Sequence, residues 1–160
     1  NIFTTVGNDK KKKFCEKLGA HMAINYNKND FYDVLRKEKI KGIDIILDMV
    51  GGDYIQKNIN LLNNEGKLIN IAYQKGSKIE LNLIKVMLKR LTLTGSTLRI
   101  RSKNFKKQII KSLNKFVLPK IEDGTIKPII DSVYKLENAN LAHKYIYKNK
   151  HIGKIILSAK

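Results

Sequence analysis

A chain of 160 residues is long enough to bury a core without disulfide or metal staples, and 42% hydrophobic with 29% charged residues is an ordinary globular balance. No apolar run approaches the roughly 18 residues of a membrane span, nothing near residues 1–13 reads as a signal peptide, and the lone Cys15 excludes an internal disulfide, so a reducing, cytoplasmic setting is expected. The net charge of +18 raises nucleic acid as a partner, but 28 Lys against 4 Arg, spread along a chain without Trp, read as compositional bias and predict only non-specific, salt-sensitive binding.

Apolar strand-like runs alternate with amphipathic segments, the pattern of βα units around a parallel sheet. Residues 1–6 (NIFTTV) predict a strand and 8–20 a helix whose apolar face is Phe14, Cys15 and Leu18, stopped by Gly19. A short strand at 22–26 precedes a helix at 29–39, with Asn29 or Asp30 as cap and Phe31, Val34 and Leu35 on one stripe. The run IDIILDMV (43–50) predicts the most buried strand, ending at Gly51-Gly52, and a helix at 53–63 follows with Ile55, Ile59 and Leu62 inward. A turn at Glu65-Gly66 opens a strand at 66–73. A helix at 81–91 and a strand at 91–98 come next, then a long helix from Ser102 to about Gly124, interrupted near Pro119. After Gly124 an extended segment (126–136), an amphipathic helix (137–149) and a last strand (153–159) close the chain.

Read in order, LDMVGGDY, GKLINIAY, VMLKRLTLTGSTLRIRS and AHKYIYKNKHIGKIIL closely resemble the zinc-free, zeta-crystallin-like quinone oxidoreductases of the medium-chain dehydrogenase/reductase family, essentially end to end. The resemblance implies an α/β fold, an incomplete Rossmann domain with a doubly wound, mainly parallel sheet that lacks its first strand. It sets a partial NADP-binding domain at 1–124 and, at 125–160, a strand-helix-strand segment that in relatives belongs with the GroES-like catalytic domain. No G-x-G-x-x-G turn, the cradle of the cofactor pyrophosphate, occurs in the sequence. The strand that would precede it belongs between the strands at 1–6 and 43–50. Either those two pair directly, or the place between them is filled by something else.

The same resemblance assigns NADPH as cofactor and marks its site. Gly7, Asn8 and Lys11 match the family's Gly-Ser-x-x-Lys turn toward the 2′-phosphate, with Asn in place of Ser, and Asp9 is a dissenting carboxylate that relatives turn away. Elementary electrostatics agrees, because Lys10–Lys13 in the first turn of a helix oppose its dipole and an anion relieves that strain. Tyr26 corresponds to an adenine-side tyrosine. Met49, Val50 and Gly51 sit where Rossmann ligands collect, Ile71, Ala72 and Tyr73 along the nicotinamide ribose, and Gly95, Ser96 and Thr97 along the nicotinamide. Asn149, with Lys150, falls where the C-terminal segment of relatives reaches back to the cofactor, and Arg99 and Arg101 are equally compatible with ligand contact or plain surface.

No catalytic side chain is assigned, because in this chemistry the cofactor carries the reaction. His21, His143 and His151 lack metal-ligand spacing, so no metal is expected. The implied partners are a small quinone or enone and a second copy of the chain joined through the edge strand at 91–98, with neither a specific nucleic acid nor a membrane. Two alternatives stand beside the reductase reading: a catalytically inert remnant that folds and dimerises, and a non-specific basic nucleic-acid-binding module.

Overall fold

The computed structural model describes Asn1–Ala159, which fall into two compact units, Asn1–Ile100 and the residues from Arg101 onward. The first carries β1 (Phe3–Val6), α1 (Asp9–Lys17), β2 (Met22–Asn25), α2 (Phe31–Lys37), β3 (Ile43–Asp48), α3 (Tyr54–Leu61), β4 (Leu62–Asn70), α4 (Ile84–Leu88) and β5 (Thr92–Gly95). The helix starts form for local reasons. Asn8 accepts the Lys11 backbone N–H at 2.8 Å to cap α1, and Asp30 accepts those of Tyr32 and Asp33 to cap α2.

Every strand pair in this unit is parallel, and the strands form two blocks, β2-β1 and β3-β4-β5. This is the Rossmann order 3-2-1-4-5-6 with the central strand left out. Among the described residues no strand pairs with the second edge of β1 or of β3, so the two do not close on one another.

Side chains, rather than backbone hydrogen bonds, join the blocks. Ile24, Phe31, Leu35 and Leu61 form a buried cluster against which Phe3 and Met22 pack from one block and Ile43 and Ile46 from the other. Strand alternation sorts the faces: Phe3, Met22 and Ile24 turn to this layer, whereas Asn25 reaches Asp9 of α1 on the opposite side. A second cluster, Ile55, Ile59, Leu62 and Leu68, seats α3 on β4, with Leu81, Val86 and Leu91 packed around it. The β3 face turned away from α3 is open: Ile45 and Leu47 are 62% and 65% exposed.

The structure shifts several expected boundaries. β4 starts at Leu62, and the Glu65-Gly66 turn lies inside it, where Glu65 has a φ of +62° and the register jumps from Ile43 opposite Leu62 to Ile45 opposite Lys67. Leu62 is therefore inward as a strand residue rather than a helical one. Leu18, expected on the apolar face of α1, caps its end and is exposed. α4 keeps only five residues of the helix expected at 81–91, and β5 four of the strand expected at 91–98.

The second unit contains α5 (Lys103–Phe116), α6 (Leu118–Glu122), β6 (Ile130–Lys135), α7 (Ala139–Tyr147) and β7 (Lys154–Ser158), with β6 and β7 parallel and joined through α7. The break before Pro119 falls at Val117, and Pro119 sits in the first turn of α6, where its missing N–H costs nothing. The division after Ile100 and the boundary expected at 124 differ by α5 and α6. Among the described residues no helix is long and apolar enough to cross a membrane.

Two outcomes follow from this packing. Ile59, fully buried between α3 and β4, should cost about 2–4 kcal/mol on truncation to Ala, read as a lower urea midpoint. Burial pulls the Asp30 carboxyl up, but the Lys57 ammonium at 2.5 Å and the two capping amides outweigh it and hold Asp30 below its usual 3.8. A depressed carboxylate stabilises the fold above its unfolded pKa and loses that contribution as pH falls through the folded one. Stability should therefore drop on acidification below about pH 4, and an Asp30→Ala variant should show a shallower drop in an acid titration followed by circular dichroism.

Candidate functional site at the carboxyl ends of the strands

The loops that leave the carboxyl ends of the parallel strands gather the sequence-marked residues into two groups. After β1 and β2, Gly7 and Tyr26 are in contact: a Cβ at Gly7 would lie 2.9 Å from the Tyr26 hydroxyl, so only glycine lets the ring this close. Asn27 Nδ2 donates to the Gly7 carbonyl at 2.7 Å, tying the two loops together. Asn8 spends its side-chain oxygen on the Lys11 amide, which leaves the amide nitrogen as the donor of that side chain.

Asp9 is held back. Its Oδ1 accepts from Asn25 Nδ2 at 2.7 Å and its Oδ2 from Lys28 Nζ at 2.5 Å. The Lys28 ammonium, then Asn25, keep its carboxyl below the ordinary range. The expected dissenting acid is thus ionised and paired on its own edge of the turn.

After β3 and β4, a buried carboxylate organises the site. Asp48 is 4% exposed; its Oδ1 accepts from the amides of Val50 at 2.6 Å and Gly51 at 3.2 Å, and its Oδ2 from Asn58 Nδ2 at 3.0 Å and Asn70 Nδ2 at 3.4 Å. Four donors from the loop after β3, from α3 and from β4 therefore converge on one side chain. The Met49 and Val50 carbonyls then accept from Gln74 and Lys75, and Gly76 from Gly52, which zips the two loops together. Gly51, with a φ of +69°, meets Tyr73 so closely that a Cβ would stand 2.7 Å from the ring. Ser96 donates to the Asn70 carbonyl at 2.9 Å, bringing Gly95, Ser96 and Thr97 beside the end of β4.

The structure thus brings together Met49, Val50, Gly51 and Tyr73, and sets Ile71, Ala72 and the 95–97 segment alongside. Ile71 is 46% exposed, on the open sheet face rather than in the core. Asn149, with a φ of +52°, follows the Lys148 cap of α7 in the second unit. Sequence reading missed Asp48, Asn58 and Asn70; the signal was a polar residue closing each of two apolar strand runs, ILD and LIN. It also missed Asn25 and Lys28, for which no spacing signal exists.

The match to known proteins decides the family. A family described as zinc-binding dehydrogenase matches residues 18–157. The chain belongs to that family. It is 32% identical to the human quinone oxidoreductase over 158 residues, covering 98% of this chain and 46% of that protein. It is 26% identical to the 2-haloacrylate reductase of a Burkholderia species, at 98% and 47% coverage. A solved 2-haloacrylate reductase structure superposes with a TM-score of 0.79 at 25% identity, covering 99% of this chain and 50% of that one. The chain therefore spans about half the length of the relatives it matches. The relatives bear out the medium-chain quinone oxidoreductase resemblance over nearly the whole of this chain.

The family description names zinc. Among the described residues no group of three or more His, Cys, Asp or Glu side chains converges. His21 stacks edge-on against Phe3 with ring centroids 5.5 Å apart. No step of the chemistry below runs through a metal.

Removal of the Asp48 carboxylate strands four buried or half-buried donors. Asp48→Ala should lower stability by about 2–4 kcal/mol and accelerate amide exchange at Val50 and Gly51. Gly51→Ala should lose about 1–3 kcal/mol through its left-handed backbone and the Tyr73 clash, measured by the same denaturation.

Proposed function

We propose that the chain is the nucleotide-binding part of an NADPH-dependent quinone or enone oxidoreductase. The observation that carries this reading is the turn after β1, where a basic first helical turn, the capping Asn8 and a Tyr26-covered Gly7 stand beside a carboxylate already neutralised by Lys28. An adenosine with a free 2′,3′-diol is served by an open acid at this place, and a 2′-phosphate by cations. The names of the relatives, quinone oxidoreductase and 2-haloacrylate reductase, support reduction of an electron-poor unsaturated substrate.

On this reading Gly7, Asn8, Lys11 and Tyr26 hold the adenosine phosphate end. Met49, Val50 and Gly51 present backbone to the middle of the cofactor, and their loop is fixed from beneath by Asp48. Ile71, Ala72 and Tyr73 flank the nicotinamide ribose, and Gly95, Ser96 and Thr97 line the nicotinamide face. Bound NADPH supplies the hydride, and the chain's own part is to orient it and exclude water. A homodimer through residues 91–98 fits β5, an edge strand with Thr92 and Thr94 on one face.

A second reading is that these residues fold without holding the cofactor, since among the described residues the facing edges of β1 and β3 are unpaired. NADPH fluorescence titrated against the 160-residue chain separates the two: micromolar binding supports the nucleotide site and overturns the second reading, and no enhancement at millimolar NADPH does the reverse. Lys11→Gln should weaken NADPH about three- to tenfold at low salt and leave NADH unchanged within twofold. Light scattering should give a dimer mass, and a monomer would remove the proposed edge pairing.

A further inference from the structure

The Asp9–Lys28 pair has a consequence for cofactor choice that neither the family match nor the turn motif contains. Asp9 is the first residue of α1, on the turn where Asn8 and Lys11 stand, and is half exposed. An unpaired carboxylate there would repel a 2′-phosphate dianion and offer two acceptors to a ribose diol. Lys28 comes from the other loop, after β2, and reaches across to Asp9 at 2.5 Å. Buried Asn25 takes the second carboxylate oxygen, which fixes the rotamer. Asn27, between them, binds the Gly7 carbonyl. The segment Asn25–Lys28 thus grips the turn after β1 at three atoms, two of them on the single acid.

We infer that Lys28 is a specificity-determining residue that acts through Asp9: by cancelling its charge and occupying its oxygen, Lys28 keeps the β1 turn selective for a 2′-phosphorylated adenosine over the 2′,3′-diol. Lys28 is a positioning residue here and makes no contact with the nucleotide. This rests on the nucleotide reading of the turn proposed above. It differs from a direct phosphate contact in one respect: the effect of Lys28 vanishes when Asp9 carries no charge.

That difference sets the experiment. Affinities of the 160-residue chain for 2′,5′-ADP and for 5′-AMP are measured by calorimetry at low ionic strength, in the wild type and in Lys28→Gln, Asp9→Asn and the double variant. The ratio of the two affinities is the readout, because a merely structural role would weaken both ligands alike. Lys28→Gln should reduce the 2′,5′-ADP preference about three- to fivefold, the size of one surface charge interaction, and the loss should shrink in 0.5 M salt. Asp9→Asn alone should leave the preference within twofold, and the double variant should return to that of the wild type. Lys28→Arg, which keeps the ion pair, should rescue it.

A double variant as poor as Lys28→Gln would mean that Lys28 touches the phosphate itself, and would overturn the inference while sparing the site. An unchanged preference in Lys28→Gln would do the same. If the wild type binds neither ligand, the nucleotide reading falls and the inference falls with it.

Discussion

The first unit depends on a layer of apolar side chains that does the work a hydrogen-bonded strand does elsewhere. Phe31 and Leu35 of α2 and Leu61 of α3 bind Ile24 and Phe3 from one block and Ile43 and Ile46 from the other. Backbone pairing between the blocks is absent among the described residues, so their relation rests chiefly on non-directional burial. An ion-pair chain runs along the rim of this layer: Lys57 joins Asp30 at the start of α2 to Asp53 before α3, and Lys75 joins Asp53 from the loop after β4. Lys57 and Asp30 are about one-third exposed and Asp53 and Lys75 more than half, so the chain adds direction more than stability.

The same constraint explains where chemistry collects. Parallel strands bring their carboxyl ends to one edge of each block, and the loops there carry polar work because the strands themselves are apolar. In the larger block the loops are anchored inward by a buried carboxylate with amide partners. In the smaller block they are anchored by an exposed ion pair at Asp9, by Asn25 on the same carboxylate and by the Asn27 bond to Gly7. The carboxylate of the larger block is shielded from salt, and the ion pair of the smaller block is open to screening.

Most of the element order was legible in the sequence because short β-branched runs and amphipathic stretches alternate without ambiguity; IDIILD and DVLRK state their own periods. The pairing of the strands was not, since neither periodicity nor turn chemistry says whether β1 meets β3. Glu65-Gly66 misled because a turn pair before an apolar run reads as the start of a strand, when here it is a bulge within one. The polar centre at Asp48 was hidden for a different reason. A buried acid looks like a defect in an apolar run until its donors, 10 and 22 residues away at Asn58 and Asn70, are seen to converge on it. Asp9 was legible as an anomaly, but its answer, Lys28, lies in a chain so rich in lysine that no single one stands out.

That lysine content bears on the open strand edges. Parallel strands with vacant hydrogen-bonding sides and bare isoleucines are templates for stacking one molecule on the next. A formal charge of +18 on 160 residues opposes that approach over about 8–10 Å at physiological ionic strength. The charge that hides any single lysine in the sequence thus sets copies of the chain against one another, most strongly in dilute buffers.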